Sequence, residues 1–317
     1  MNWDSEGAAM DEFDLIARYF APLATVPGAF GLKDDAAIIP ARPGFDLVIT
    51  TDQIADGTDF FPEDPPHTIA RKALRVNLSD LAAKGAKPEY YLLNLALPRP
   101  AREEWLTEFA RGLLDDQLQF DISLLGGDTS ATEGSLSISV TAMGFVPQGR
   151  MVRRSGAKPG DAVYVTGTIG DSGGGLALLK GEASGLSEAD RAYLTDRYRV
   201  PRPPVTFGAG LCDIAHAGVD ISDGLIADLE HLASASGVGI VVEGEKVPLS
   251  PALKALWGAD TLVRAVAAGD DYQIAFTAPS GLRGPFTRIG QVRAGQGVSL
   301  SVKGEEVVIM QPGYRHF

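Results

Sequence analysis

The apolar runs and amphipathic stretches of this chain alternate, break once at Val146-Pro147-Gln148-Gly149, and then start afresh. A proline and a glycine between apolar segments close one set of elements. At 317 residues the chain is long for one core, so two domains are expected, 1–148 and 149–317. Before the break, Asp11 can cap a short helix carrying Phe13, Ile16, Tyr19 and Phe20 at helical spacing. The segment 47–51 reads as a buried strand ending at Asp52, and 68–84 as an amphipathic helix stopped by Gly85 and Pro88. A strand over 90–97 precedes a helix over 101–117 with Trp105, Phe109, Leu113 and Leu114 inward. Residues 123–125 run into Gly126-Gly127-Asp128, and 136–145 form another strand.

After the break, a strand over 161–166 leads to a Gly-rich turn over 167–175 and a short helix over 176–180. Helices are expected over 187–198, 205–217 and 225–236, with strands over 219–221, 239–242, 272–277 and 286–292. A hairpin over 298–309 turns at Lys303-Gly304. The class is α/β (α+β), with two domains that are each a mixed sheet covered by helices. There is no strict internal repeat and no low-complexity segment.

Several function classes fall away on composition. Lys+Arg of 28 against Asp+Glu of 41 leaves a net charge of -13, which repels a phosphate backbone and argues against nucleic acid as a partner. The single cysteine, Cys212, excludes an intrachain disulfide and a Cys-rich zinc site. The acidic start lacks the basic and apolar regions of a signal peptide, and no apolar run approaches the ~20 residues that span a bilayer. A cytoplasmic protein without a membrane partner is the expectation.

The chemistry lies in aspartates at the ends of apolar segments: Asp35, Asp52, Asp80, Asp128, Asp220 and Asp223. Strand ends and the loops after them are where α/β folds place binding groups. Converging carboxylates repel, and an oxygen-only set selects a hard cation such as Mg²⁺, which habitually meets substrate phosphates. Each aspartate alone also reads as a cap or turn former, and Asp80 could pair with Lys84 at i,i+4. No G-x-x-x-x-G-K-[ST] is present, which excludes a P-loop. Gly167-Thr168-Ile169-Gly170-Asp171-Ser172-Gly173 reads as a tight strand-to-helix turn whose amides could face a phosphate.

In order, GLKDDAA, TTDQIADGTDF, NLSDLAAKGA, GGDTS, RSGAKPGD, DISDGL and GDDY resemble the thiamine-monophosphate kinase family of the aminoimidazole ribonucleotide synthetase superfamily. The resemblance runs from Phe13 to Phe317. It implies an N-terminal domain that dimerises through its sheet, hence a homodimer, and a C-terminal domain closing over the nucleotide. Carried over, Asp35, Asp52, Asp80, Asp128, Asp220 and Asp223 would be magnesium ligands, joined by Thr50 and Thr51, with Asp80 and Asp223 central to catalysis. ATP would be contacted by Asp35, Thr50, Gly127, Asp128, Arg154 and Ser222, and thiamine monophosphate by Asp59, Asp270 and Tyr314. Three positions depart from the family pattern: Lys33 for a glycine, Asp59 for a histidine and Asp270 for a glutamate. The implied reaction converts ATP and thiamine monophosphate to ADP and thiamine diphosphate. The rivals are a sister ATP-using synthetase and a nucleotide- or metal-binding regulatory module. A first half without cysteine counts against a selenophosphate synthetase.

Overall fold

The computed structural model describes residues 12–100, 102–182, 185–310 and 312–314. Asp11, Ala101 and 315–317, which enter expectations above, lie outside them. Contacts divide the chain into two units. The first runs to Leu81 and resumes over Ala86–Gly149; the second comprises Ala82–Gly85 and everything from Arg150.

In the first unit a short helix α1 (Glu12–Leu15) and a π-helical turn precede β1 (Phe45–Ala55), α2 (Pro66–Ala83), β2 (Lys87–Pro98), α3 (Glu103–Phe120), β3 (Ser123–Thr132) and β4 (Ser137–Pro147). The sheet order is β1-β4-β2-β3, antiparallel except for the β2–β3 pair. Helices α2 and α3 are tied together by Arg71 and Arg75, which both donate to the buried Asp116. Strand alternation divides β1 in two. Val48 and Ile54 are buried on one face, whereas Phe45, Leu47 and Ile49 of the other are 44%, 41% and 58% exposed. The expected buried strand is therefore an edge strand, and Asp52 lies within it rather than at its end. Leu114, expected inward, is exposed, and Leu106 is buried instead; in α1 Phe13 is exposed and Leu15 buried.

The second unit holds a seven-stranded mixed sheet, β11-β10-β7-β9-β5-β8-β6. In chain order its elements are β5 (Ala162–Thr166), α4 (Asp171–Leu179), α5 (Glu188–Arg199), α6 (Val205–Gly208), β6 (Ala217–Asp220) and α7 (Leu225–Ser236). They continue with β7 (Gly239–Glu243), α8 (Pro251–Trp257), α9 (Thr261–Ala267), β8 (Ile274–Ala278), β9 (Phe286–Arg293), β10 (Gly297–Val302) and β11 (Glu305–Val307). Val163, Val165 and Val219 share a core with Leu225, Leu229 and Leu232 of α7. Tyr164 and Phe276 face a second core with Leu211 and Phe207. Being buried on both faces is why β5 reads as unbroken apolar sequence.

Four expectations change here. The helix over 205–217 is only α6 followed by a 3-10 turn at Leu211–Asp213, because β6 begins at Ala217. The strand over 272–277 starts at Ile274, since Tyr272 has φ 51, which a strand cannot hold. Helices α8 and α9 occupy a stretch assigned no element. The Gly-rich turn ends at Gly170, and Gly173-Gly174-Gly175 belong to α4. A Cβ on these three would lie 2.4 Å from Ala268 Cβ, 2.6 Å from Leu253 Cδ1 and 2.1 Å from the Leu194 carbonyl oxygen. Close helix packing, not turn geometry, is what requires them.

Candidate active site

In the first unit the register sets Asp52 opposite Val140, and Val140 opposite Leu93, both buried. Thr50 and Asp52 share the face of Val48 and Ile54, on which α2 lies. There the Thr50 Oγ1 hydroxyl donates to Asp80 Oδ2 of α2 at 2.5 Å. The side chain of Asp52 keeps solvent contact, yet its carboxyl is pushed up to about 6. Desolvation is the leading cause, followed by the charge and hydrogen bond of Asp80 and a smaller push from Asp59. Asp52 is exposed and Asp80 half-buried, and two carboxyl groups held against each other at such a surface are what a hard cation offsets.

Thr51 points to the opposite face, where its hydroxyl donates to the Val140 carbonyl at 3.1 Å and accepts from Thr141 Oγ1 at 3.0 Å. Asp59 closes the loop after β1: its carboxylate accepts the Ala55 N–H at 2.8 Å and its carbonyl accepts from Lys72 Nζ at 2.7 Å. A second group lines a cavity of about 440 Å³, where Asp34, Asp35, Asn94, Gly127 and Asp128 meet an apolar wall including Phe20 and Leu92. Asn94 and Asp128 are register partners on β2 and β3. Asp35 is exposed, as is Lys33.

In the second unit Asp220 ends β6 and is buried, and the loop 221–224 carries Ser222 and Asp223 into α7. Asp228, in the first turn of α7, turns back so that Oδ2 accepts the N–H groups of Ser222, Asp223 and Gly224 at 3.0, 3.0 and 3.1 Å. Burial, then the charge of Asp223, pushes Asp228 up to about 7 against the relief of those three donors. The loop 269–272 lies alongside: the Asp270 and Tyr272 N–H groups donate to the Ser222 and Ile221 carbonyls, each at 2.7 Å. The Asp270 carboxylate accepts the Tyr272 hydroxyl at 3.1 Å. Tyr314 is half exposed, and its N–H donates to the Asp223 carbonyl at 2.9 Å. Arg154 is exposed, its carbonyl accepting from Ser236 Oγ at 3.1 Å.

The amides at the start of α4, which could have faced a phosphate, face a carboxylate of the protein. Gly170 N–H donates to Asp271 Oδ2 at 2.5 Å and Ser172 N–H to Oδ1 at 3.3 Å. Asp271 is 1% exposed, and burial pushes it up to about 8.

The six aspartates thus fall into groups: Asp52 with Asp80, Asp35 with Asp128, and Asp220 with Asp223 in the other unit. Among the described residues no cluster of three or more acidic, histidine or cysteine side chains is assembled that could hold a metal ion. No described helix is long and apolar enough to cross a membrane. Sequence reasoning passed over Asp228 and Asp271. For Asp228 the signal was present: an acidic residue between Ile226 and Leu229, on the apolar side of its helix. For Asp271, beside another aspartate, no pattern marks which of the two turns inward.

Residues 33–146 match the AIR synthase related protein N-terminal domain, and 158–303 match the C-terminal domain of the same family. The two mixed sheets with their acidic loops are therefore those of an AIR synthase related protein. Within that class the chain is 43% identical to the thiamine-monophosphate kinase of Caulobacter vibrioides, over 96% of this chain and 90% of that one. The crystal structure of thiamine-monophosphate kinase from Stenotrophomonas maltophilia superposes with a TM-score of 0.80 at 42% identity, covering 87% of this chain and 91% of that one. The structure of AaThiL complexed with AMPPCP and TMP gives a TM-score of 0.80 at 34% identity, covering 100% of both chains. The chain belongs to the thiamine-monophosphate kinase family.

Proposed function

We infer that the protein phosphorylates thiamine monophosphate with ATP, giving thiamine diphosphate and ADP. The observation that carries this is full-length similarity to a structure that holds AMPPCP, an ATP analogue, together with TMP. The acceptor is a phosphate oxygen that is already anionic near neutral pH, so the chain need not supply a strong base. What it must supply is alignment of two anions and relief of their repulsion.

The residues fit Mg²⁺ as the source of that relief. The raised Asp52 beside Asp80, with the Thr50 oxygen between strand and helix, is an oxygen-only donor set in want of positive charge. Asp35 and Asp128 on the cavity are further proposed ligands within the first unit, with Thr51 contributing only its carbonyl, and Asp220 and Asp223 are proposed ligands within the second. Bound there, Mg²⁺ supplies charge neutralisation of phosphate oxygens. Arg154 offers a guanidinium fork to phosphate, while Gly127 and Ser222 bring backbone and hydroxyl groups to the nucleotide. For the acceptor, Asp270 and Tyr314 of the second unit contact thiamine monophosphate, as does Asp59 of the first, whose carboxylate also shapes the loop after β1 through its bond to Ala55. The exposed apolar face of β1, with Phe45, Leu47 and Ile49, is the surface through which a homodimer would form.

The test is incubation with ATP, Mg²⁺ and thiamine monophosphate, with thiamine diphosphate as the measured product and free thiamine as the control acceptor. Product is expected only with thiamine monophosphate. ADP release that does not depend on the acceptor would reject the reading.

A further inference from the structure

The loop Ile221-Ser222-Asp223-Gly224 has every backbone polar group bonded. On its N–H side, Ile221 donates to the Gln273 carbonyl at 2.8 Å, and Ser222, Asp223 and Gly224 all donate to Asp228 Oδ2. On its carbonyl side, Ile221, Ser222 and Asp223 accept from Tyr272, Asp270 and Tyr314, and Gly224 accepts from Asp228 N–H at 3.0 Å. The fit is tight on that side. A Cβ on Gly269 would sit 2.6 Å from the Ser222 carbonyl oxygen, and one on Gly313 would sit 2.6 Å from that of Asp223.

Three amides converging on one oxygen at a helix start form the kind of nest that takes an anion. Here a side chain of the same helix, 1% exposed, fills it. The amides are therefore not what this loop presents to a ligand. They fix the plane of its peptides, and that plane in turn aims the three carbonyls at Asp270, Tyr272 and Tyr314.

We propose that Asp228 is a positioning residue: by holding the amides of 222–224 it sets both Asp223 and, through the opposite carbonyls, the segments carrying Asp270 and Tyr314. One carboxylate thereby couples the geometry of the metal and nucleotide side to that of the acceptor side. The catalytic part of the proposal rests on the kinase reading above; the coupling of the three segments does not.

The experiment compares wild type with Asp228→Ala and Asp228→Asn, without ligands and then in turnover. Amide hydrogen exchange in Asp228→Ala should speed up at 222–224 and also at Asp270, Tyr272 and Tyr314, none of which touches Asp228 through the bonds described. Exchange that changes only at 222–224 overturns the proposal. In turnover, Asp228→Ala should raise KM for thiamine monophosphate together with the Mg²⁺ needed for half-maximal rate. kcat/KM should fall about 10²-fold, the usual consequence of a misplacement near 1 Å. Asp228→Asn, whose amide oxygen accepts the same N–H groups, should recover most of that loss and keeps the question open to measurement if the alanine variant fails to fold. A lower melting temperature with unchanged KM and unchanged Mg²⁺ requirement is a purely structural cap and overturns the proposal. If wild type itself makes no thiamine diphosphate, the kinase reading falls and the exchange pattern alone decides the coupling.

Discussion

Aspartates of the two units face opposite surroundings. In the first unit burial raises the Asp52 carboxyl, and the charge and hydrogen bond of Asp80, another carboxyl, add to it. In the second, Asp228 and Asp271 are buried more deeply, yet each is met by backbone N–H groups at the start of a helix. The first arrangement is one that a bound cation would relieve. The second is self-contained, because the donors would be costly to leave without a partner. A carboxyl that faces another carboxyl is the kind proposed as a ligand, while one whose oxygens are filled by backbone N–H groups belongs to the scaffold, although both are aspartate.

The largest effect is expected at Asp80. Asp80→Asn should cut thiamine diphosphate formation by at least about 10²-fold, as loss of a preorganised charge site does. Circular dichroism should show the fold intact, and the melting temperature should hold or rise, since a repulsion has been removed. Near-normal turnover would reject Asp80 as a ligand. Asp223→Asn should show the same loss of turnover.

Asp228→Ala should behave in the other sense for stability. Orphaning buried N–H groups should cost about 2–4 kcal/mol, read from urea denaturation. A stability within experimental error of wild type would place Asp228 with the ligand-type carboxyls.

Ionisation is where the carboxyls of the two units behave alike. Asp271 is raised from 3.8 to about 8 in the fold, so its contribution to stability is fully present below pH ~4 and is lost as pH rises through about 8. Asp228, raised to about 7, and Asp52, raised to about 6, act in the same direction. The melting temperature should therefore decline from pH 5 to 8, with Asp271→Asn flattening the upper part of that slope. Adding Mg²⁺ at pH 8 should recover stability in wild type but less in Asp80→Asn, because only a ligand that binds the folded form shifts the melt. The smallest effect is expected at Ile49, which is 58% exposed. Ile49→Lys should alter monomer stability by no more than about 0.5 kcal/mol. Sedimentation should nevertheless show the oligomer shifted toward monomer; an unchanged dimer would move the interface elsewhere.

Much of this was legible in the chain. Gly85 and Pro88 bound α2, Lys303-Gly304 turn the terminal hairpin with φ 52 and 87, and the ordered motifs located the acidic loops. What was hidden depends on partners distant in sequence. That Asp52 lies mid-strand follows from β4 pairing along the whole length of β1. That Thr51 points away from Thr50 is a matter of strand alternation, which a strand ending at Asp52 does not reveal. Helices α8 and α9 could have been found: Ser250-Pro251 is a cap followed by proline at the first helical position, and the Ser250 hydroxyl does accept the Leu253 N–H. The inward turn of Asp271 could not, because it is decided by the amides of Gly170 and Ser172, about a hundred residues earlier.

The three consecutive glycines of α4 bear on the order of events during folding. Each glycine costs roughly 1 kcal/mol of helix propensity relative to alanine. A nine-residue segment carrying three of them cannot nucleate a helix by itself. Its turns close only where Leu194 of α5, Leu253 of α8 and Ala268 after α9 already stand. α4 should therefore form only once the groove that receives it is assembled, and substitutions at Leu194 or Leu253 should lower its amide protection.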